Sequence, residues 1–511
     1  MGVRTSAGGT SWSAAPPQGC LLSCPCGPRT VRSAAGDQGG HAVMRQRFEP
    51  REEHDDEQQW QGQMIYEALL FPRVHEERER YEEQAARGES VGELQGTRLR
   101  EILDHAMRAV PAYRGVVPDV TGPAPDPWAL LAKFPSVTKS GLARGLVDHC
   151  DDDIDPARCR VLETSGTSGI PLRVIRDDNA FVHEWATALV RNGRHGPAYN
   201  RKVLMPCLAR LNHWFEYLSP GTGFTRVAQF GCDGSSVERR ALYAERAEAF
   251  APDVLSGSPR NLIDFMALLR ENGRRLPTVR RIVTCGELLM PAVRNSLADF
   301  FGAAVLDMYA MKEVGTIAVQ CEEGAYHIDS ERLWVEIVDD SGTPLPEGRT
   351  GEIVVSDLTN RAMPLIRYRT GDFGSLATAA CPCGLPHKAM DLVEGRNPGE
   401  IRRPDGSALP VLWAARAARR YPVRRYQIVQ ETDFSVSVLV APAPSFGPAD
   451  GAALTQAVED LLGTGVDCRV RIVGDDGFHR GGRRKDVDFV SFLPQVSAAA
   501  PMAAGNQTPS N

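Results

Sequence analysis

No apolar run in the chain approaches the roughly 20 residues that span a bilayer, which argues against a membrane protein. Positive charge is not in excess either: 58 Lys and Arg against 65 Asp and Glu leave a formal charge of −7, so nothing electrostatic points to nucleic acid or an anionic membrane as a partner. The first residues lack the basic-then-apolar order of a secretory leader. Twelve cysteines in 511 residues are too sparse for a disulfide framework. Together these absences predict a cytoplasmic protein whose thiols are free or hold metal. There is no internal repeat.

What is present is the composition of a soluble globular protein, 42% apolar and 24% charged, in a chain too long for one compact core. The stretch that draws the eye is Thr164-Ser165-Gly166-Thr167-Ser168-Gly169-Ile170-Pro171. Hydroxyls and unpaired amides crowded into a glycine-rich loop form a concavity suited to phosphate oxygens. The loop lacks the Gly-Lys-Ser/Thr ending of a Walker loop and the three spaced glycines of a dinucleotide fingerprint. Alone it also reads as an ordinary solvated turn.

The flanking pattern gives the loop a frame. From Met1 to about Phe48 there is no helical or strand period, and the composition is that of a disordered tail. Cys24-Pro25-Cys26-Gly27 sits inside that tail as an incidental pair, and Met44 is an alternative start. Leu69, Leu70, Val74, Leu99, Ile102, Leu103 and Met107 recur at helical spacing between Trp60 and Arg114, and proline at Val110-Pro111 stops the run. Lys133 to Lys139 reads as a loop entering a short capped helix. Val161 to Glu163 reads as a strand, Phe181 to Val190 as a helix, Lys202 to Cys207 as a strand, and Leu211 to Tyr217 as an aromatic-rich loop. Strand, turn and helix then repeat: Asp253 to Pro259, Arg260 to Asn272, Arg281 to Glu287, Pro291 to Phe301. That alternation predicts an α/β fold with ligands at strand ends. Trp334 to Val338 and Glu352 to Ser356, joined through Asp339-Asp340-Ser341-Gly342, read as a hairpin or meander. After Gly395 the pattern restarts with short strands around Val411, Tyr426 to Val429 and Val436 to Val440, a helix near Leu454 to Leu462 and a strand from Cys468 to Val473.

Four further stretches stand in order behind the loop. They are Thr284-Cys285-Gly286-Glu287-Leu288, Asp307-Met308-Tyr309-Ala310-Met311-Lys312-Glu313-Val314-Gly315, Leu365-Ile366-Arg367-Tyr368-Arg369-Thr370-Gly371-Asp372 and Val393-Glu394-Gly395-Arg396. In that order the chain resembles the adenylate-forming superfamily of acyl-CoA ligases, most closely its phenylacetate-CoA ligase branch, with coenzyme F390 synthetase-like enzymes nearby. The resemblance runs from about Leu69 to Leu493. It implies a large ATP- and substrate-binding domain over residues 49–395, with parallel-type sheets and a β-meander, and a small mobile α+β domain over 396–496. Tails of 1–48 and 497–511 would flank them.

The resemblance also implies roles. Thr164, Ser165, Gly166, Thr167, Ser168 and Gly169 would hold the β- and γ-phosphates of ATP; Gly286, Glu287 and Leu288 would line the adenine pocket; Tyr309, with Asp307 and Met308 ahead of it, would stack on the base. Glu313 would hold Mg²⁺, Asp372 would accept from the ribose hydroxyls, and Arg369 and Arg396 would lie near the α-phosphate and the domain junction. A carboxylic acid, aryl or arylacetic, would be adenylated with release of pyrophosphate and passed to CoA after the small domain rotates about a hinge near Arg396. His213, Trp214, Phe215 and Tyr217 form an aromatic cluster that could pack the acid or belong to the core, and Ser258 with Pro259 starts a helix that lies near the pocket in relatives. A second copy of the chain and a carrier protein are further partners to consider.

Cys321 and His327 are separated by five residues, and Cys381 and Cys383 by one. Three soft thiolates with one imidazole suit a closed tetrahedral Zn²⁺ site, and some members of the branch carry zinc at the corresponding place. With four protein ligands the site would be structural.

The chain departs from the family twice. Where relatives have a lysine after a Gly-Lys pair, it reads Gly481-Gly482-Arg483-Arg484-Lys485, so Lys485 or Arg483 takes the catalytic cation's place. At the hinge, Asn397-Pro398-Gly399-Glu400 replaces an aspartate-rich segment, and the proline stiffens the swivel. That second departure opens alternatives to CoA: an amine, a carrier protein, water, or nitrite activation for diazo formation. A descendant that binds nucleotide without turnover is a further alternative.

Overall fold

The computed structural model describes residues 56–116, 126–164, 172–194, 199–207, 214–231, 237–396, 400–463, 466–479 and 488–493. The expected tails, most of the glycine loop and the basic run at Gly481 to Lys485 lie outside them. Among the described residues no helix is long and apolar enough to cross a membrane.

The described residues open with the helices Asp56–Ala86 and Val91–Ala109. Ser90 caps the second by accepting from the Gly92 amide, and Leu99, Ile102, Leu103 and Ala106 form its buried stripe. Val110 ends it in extended conformation because Pro111 follows. The strands are then, in chain order, β1 (Val137–Thr138), β2 (Cys159–Glu163), β3 (Arg173–Asp177), β4 (Lys202–Cys207), β5 (Phe215–Ser219), β6 (Thr225–Gly231), β7 (Val254–Gly257), β8 (Arg281–Cys285), β9 (Ala304–Met311), β10 (Gly315–Gln320), β11 (Tyr326–Ile328), β12 (Leu333–Val338), β13 (Gly351–Asp357), β14 (Tyr368–Leu376) and β15 (Ala389–Arg396).

All but β2 and β3 join one 13-stranded mixed sheet ordered β12-β13-β14-β15-β11-β10-β9-β8-β7-β4-β6-β5, with β1 beside β14. Its middle, β6-β4-β7-β8-β9, is parallel, with a helix between β6 and β7, β7 and β8, and β8 and β9 as the alternating pattern predicts. From β9 onward every neighbour in the order is antiparallel. The change of direction follows from connection length: a three-residue turn joins β9 to β10, whereas the connections from β6 to β7, β7 to β8 and β8 to β9 each contain a helix and β4 reaches β6 by way of β5. Helix Pro259–Glu271 covers the parallel part, capped by Ser258 and burying Leu262, Phe265, Met266 and Leu269. Burying each of these side chains contributes roughly 1.5–3 kcal/mol.

β2 and β3 form a separate hairpin, in register from Cys159↔Asp177 to Glu163↔Arg173. Beyond Arg396 a four-stranded sheet, ordered β20-β19-β18-β21, comprises β18 (Val423–Gln430), β19 (Val436–Pro442), β20 (Cys468–Ile472) and β21 (Phe489–Ser491). A small two-stranded pair, β16 (Glu400–Arg402) and β17 (Ala408–Pro410), precedes it.

Two local expectations are corrected. The aromatic stretch is not wholly loop: Phe215 to Tyr217 lie in β5, because their alternation pairs with β6 from Phe215↔Gln229 to Ser219↔Thr225. The segment at Val411 is not a strand but the start of helix Val411–Arg419, where Val411, Ala414, Ala415 and Ala418 are buried at helical spacing. An alanine-rich run outweighs one β-branched residue.

Candidate functional site

The hairpin β2–β3 frames the glycine loop. Thr164 closes the loop's base: its amide donates to the Leu172 carbonyl (2.8 Å), and the Leu172 amide donates to its Oγ1 (3.1 Å). Ser165, Gly166, Thr167, Ser168 and Gly169 lie outside the described residues. Across the sheet, β8 is followed by Gly286, whose φ of +80° favours glycine, then by exposed Glu287 and by Leu288 packed on the core.

Next to it β9 presents Asp307, Met308 and Tyr309. Asp307 pairs in register with Thr284 and is buried; its two oxygens accept from the Thr284 hydroxyl (2.5 Å) and the Tyr326 hydroxyl (2.7 Å). Burial pushes its carboxyl up. Asp307 therefore ties three strands together beneath the site. Met308 accepts from the Thr316 hydroxyl through sulfur (3.7 Å). Two residues 63 positions apart then meet, as the Tyr309 hydroxyl donates to Asp372 Oδ2 at 2.8 Å.

Glu313 sits on the turn between β9 and β10, only 4% exposed, and accepts from the Tyr368 hydroxyl (3.3 Å). The turn is gripped from behind. Glu184 Oε1 accepts from the Thr316 amide (3.0 Å), and fully buried Arg332 donates to the carbonyls of Val314 (3.2 Å) and Thr316 (2.5 Å). A Cβ on Gly315, at φ +76°, would overlap the Glu184 carboxylate, so the close approach requires glycine. Burial pushes the Glu184 carboxyl up, but Arg176, Arg332 and the Thr316 amide outweigh it and hold it at about 2. Arg176 Nη1 lies 2.8 Å from Glu184 and projects from β3, the strand leaving the glycine loop.

Other sequence candidates fall elsewhere. Arg369 is held by Glu352 on neighbouring β13 (Nε to Oε2, 2.8 Å); by the pleat it lies on the face opposite Tyr368, so it is not gathered with Glu313. Arg396 is the register partner of Asp372 on β15, with its side chain outside the described residues. His213, Arg483 and Lys485 are also outside them.

Trp214 and Phe215 part company. Trp214 stacks on Phe230 (5.2 Å) and lines a surface cavity of about 270 Å³ with Lys202, Arg226, Arg246 and Phe250. Phe215 stacks on Tyr217 (5.7 Å), whose hydroxyl accepts from Gln229 (3.2 Å). The Ser258 hydroxyl accepts from the Asn261 amide as a helix cap (3.3 Å).

Cys321, His327, Cys381 and Cys383 converge, with their ligand atoms all within 4.8 Å of one another. Cys321 and Cys381 sulfurs are 3.6 Å apart, close to the roughly 3.8 Å edge of a tetrahedron with zinc–sulfur bonds of about 2.3 Å. His327 Nδ1 faces the His387 carbonyl (3.3 Å), which fixes a tautomer with Nε2 available, 3.1 Å from Cys383 sulfur. Burial lowers the His327 pKa and the Cys383 amide draws the Cys381 thiol down, towards the forms that bind metal, whereas burial pushes the Cys383 thiol up to about 11, so metal binding must displace its proton.

Tyr368, Glu184, Arg332 and Arg176 had no role assigned from sequence. Tyr368 lay inside a motif already singled out. The three charged residues carry no sequence signal, because nothing in spacing or residue type discloses that a charge will be buried.

The profile of the AMP-binding enzyme family matches residues 139–360. The chain is 29% identical over 330 residues to a phenylacetate-coenzyme A ligase of Thermus thermophilus, covering 60% of this chain and 71% of that one. It is 28% identical over 340 residues to a phenylacetate-coenzyme A ligase of Escherichia coli, covering 60% and 72%. In fold it is similar to a 2-hydroxyisobutyryl-CoA ligase crystallised in the postadenylation state, with a TM-score of 0.59 at 17% identity over 78% of this chain and 88% of that one.

Proposed function

We propose that the chain is a phenylacetate-CoA ligase-like member of the AMP-binding, adenylate-forming enzymes and that it activates an aryl or arylacetic acid as its adenylate. It is an AMP-forming acid–CoA ligase. A carboxylate oxygen attacks the α-phosphorus of ATP, the bond to the bridging β-oxygen breaks, and pyrophosphate leaves. The CoA thiolate then attacks the acyl carbon and expels AMP. Rate comes from holding the partners in line and from cations offsetting phosphate charge.

The observation that carries the reading is the Tyr309–Asp372 hydrogen bond, which joins a ring suited to the base with an acceptor-only group suited to ribose hydroxyls. Asp372 accepts from the ribose, Gly286 to Leu288 line the base, and the loop from Thr164 holds the outer phosphates. Glu313 is the ligand for the Mg²⁺ that accompanies ATP; when bound, the ion supplies positive charge against the triphosphate. On the acid side, Phe215 and Tyr217 share one face of β5 and offer aromatic stacking. Lys485 or Arg483 supplies the catalytic cation. The domains run 49–395 and 396–496. Cys321, His327, Cys381 and Cys383 hold a structural Zn²⁺, supported by the convergence of three thiols and one oriented imidazole.

ATP–pyrophosphate exchange with a panel of aryl and arylacetic acids and nitrite tests this, with CoA added in parallel. Exchange with aromatic acids and thioester only with CoA is expected. No exchange with any compound would overturn the adenylation reading and favour a descendant that does not turn over.

A further inference from the structure

The exposed Lys312 lies beside Glu313, and its ammonium donates to the carbonyl of Glu163 at 2.7 Å, across 149 residues of sequence. Glu163 is the last residue of β2, directly before Thr164 at the base of the glycine loop. From this contact we propose that Lys312 is a positioning residue that fastens the phosphate-loop hairpin to the Glu313 turn, so that phosphates and metal carboxylate keep one spacing.

Three observations bear on it. The Glu163 side chain is engaged with Arg173 across the hairpin (2.9 Å), so the lysine meets the backbone of a strand end that is already tied. The hairpin and the turn are joined a second time, in the interior, through Arg176, Glu184 and the Thr316 amide. That link lies at the penultimate residue of β3, three residues from Arg173 at the loop end, and at the far side of the turn. The far end of the hairpin is also held through Ile175 and Asp177 to residues 360–362, so Lys312 is the contact that carries this fixation to the loop base beside Glu313.

The proposal rests on the reading of the site given above. It predicts a split between ligands: ATP has the outer phosphates whose spacing the lysine sets, whereas AMP needs only the base and ribose contacts. Calorimetric titration of the full chain with Mg·ATP and with AMP tests it. Lys312→Met is expected to weaken Mg·ATP binding about tenfold, the loss of one charge-assisted hydrogen bond, while AMP stays within twofold. Lys312→Arg, which keeps the charge and the reach, is expected to recover Mg·ATP binding to within about threefold, and melting of all three proteins shows whether the fold is intact. Unchanged Mg·ATP binding in Lys312→Met overturns the proposal, as does equal weakening of both nucleotides or an unfolded variant. If the wild-type chain binds neither nucleotide, the reading of the site falls first, and the role of Lys312 falls with it.

Discussion

At the scale of single residues, side chains that looked alike in sequence have unlike partners. Tyr309 and Asp372 meet each other, while Arg369, from the same motif as Asp372, is held on the far face of β14 by Glu352. The cysteines divide in the same way. Cys150 and Cys468 are dispersed, and burial raises both thiols to about 12, which keeps them protonated and inert. Cys321, Cys381 and Cys383 share one pocket with His327. If that pocket holds zinc with four protein ligands, no coordination position is open to substrate, and the metal acts on stability. Cys381→Ser is therefore expected to drop zinc from about one equivalent to a small fraction and to lower the melting temperature, while the folded fraction keeps its exchange rate within about threefold. Full zinc occupancy in that variant, or lost exchange with zinc and melting unchanged, would contradict the structural role.

At the scale of elements, the Glu313 turn is defined by what lies behind it. Arg332 and Glu184 take the backbone groups of Val314 and Thr316, and Arg176 connects that grip to the phosphate-loop hairpin. A buried ion pair is costly to break because the surviving partner keeps its desolvation penalty, about 3–5 kcal/mol in typical cases. The Glu184 carboxyl is held at about 2, below the roughly 4.3 of an unfolded glutamate. The sign follows from linkage: a lowered folded-state pKa gives stability that is full above the unfolded value and is lost as pH falls through the folded one. Wild-type melting temperature is expected to decline between about pH 4.5 and 2. Glu184→Gln, which keeps an oxygen for the Thr316 amide but no charge for Arg176, is expected to melt lower at pH 7 and to decline less over that window. Parallel melting curves for the two proteins would show that Glu184 does not titrate as argued. None of this grip was legible in the sequence. Most of the strands and helices were, because hydrophobic period and proline or glycine stops mark them locally; Phe215 to Tyr217 and the segment at Val411 were not. A buried carboxylate differs from a solvated one only in its neighbours, and those neighbours come from β3, β10 and the segment before β12.

For the whole molecule, the sequence indicated an α/β body and a smaller restart after Gly395, but it could not tell how the two meet, since that depends on surfaces rather than periods. Among the described residues one buried cluster runs from Leu204, Phe265 and Leu297 into Val411, Ile428 and Val438, so the second segment packs on the first through apolar contact. Around it, Arg416 on helix Val411–Arg419 donates to the Thr350 hydroxyl ahead of β13 (3.1 Å). If the small segment turns between adenylation and thioester formation, this bond belongs to one of two arrangements, and strengthening it must favour one half-reaction over the other. Thr350→Asp replaces the neutral acceptor with a carboxylate, worth about 0.2–1 kcal/mol at a partly exposed site. Such a bias corresponds to at most about a fivefold shift in population. Single-turnover measurement of adenylate formation, and separately of thioester formation from preformed adenylate, should then show one rate unchanged and the other slowed up to about fivefold, with the slowing relieved by salt as the ion pair is screened. Equal slowing of both rates, or slowing that salt does not relieve, would mean that this contact does not distinguish two working arrangements.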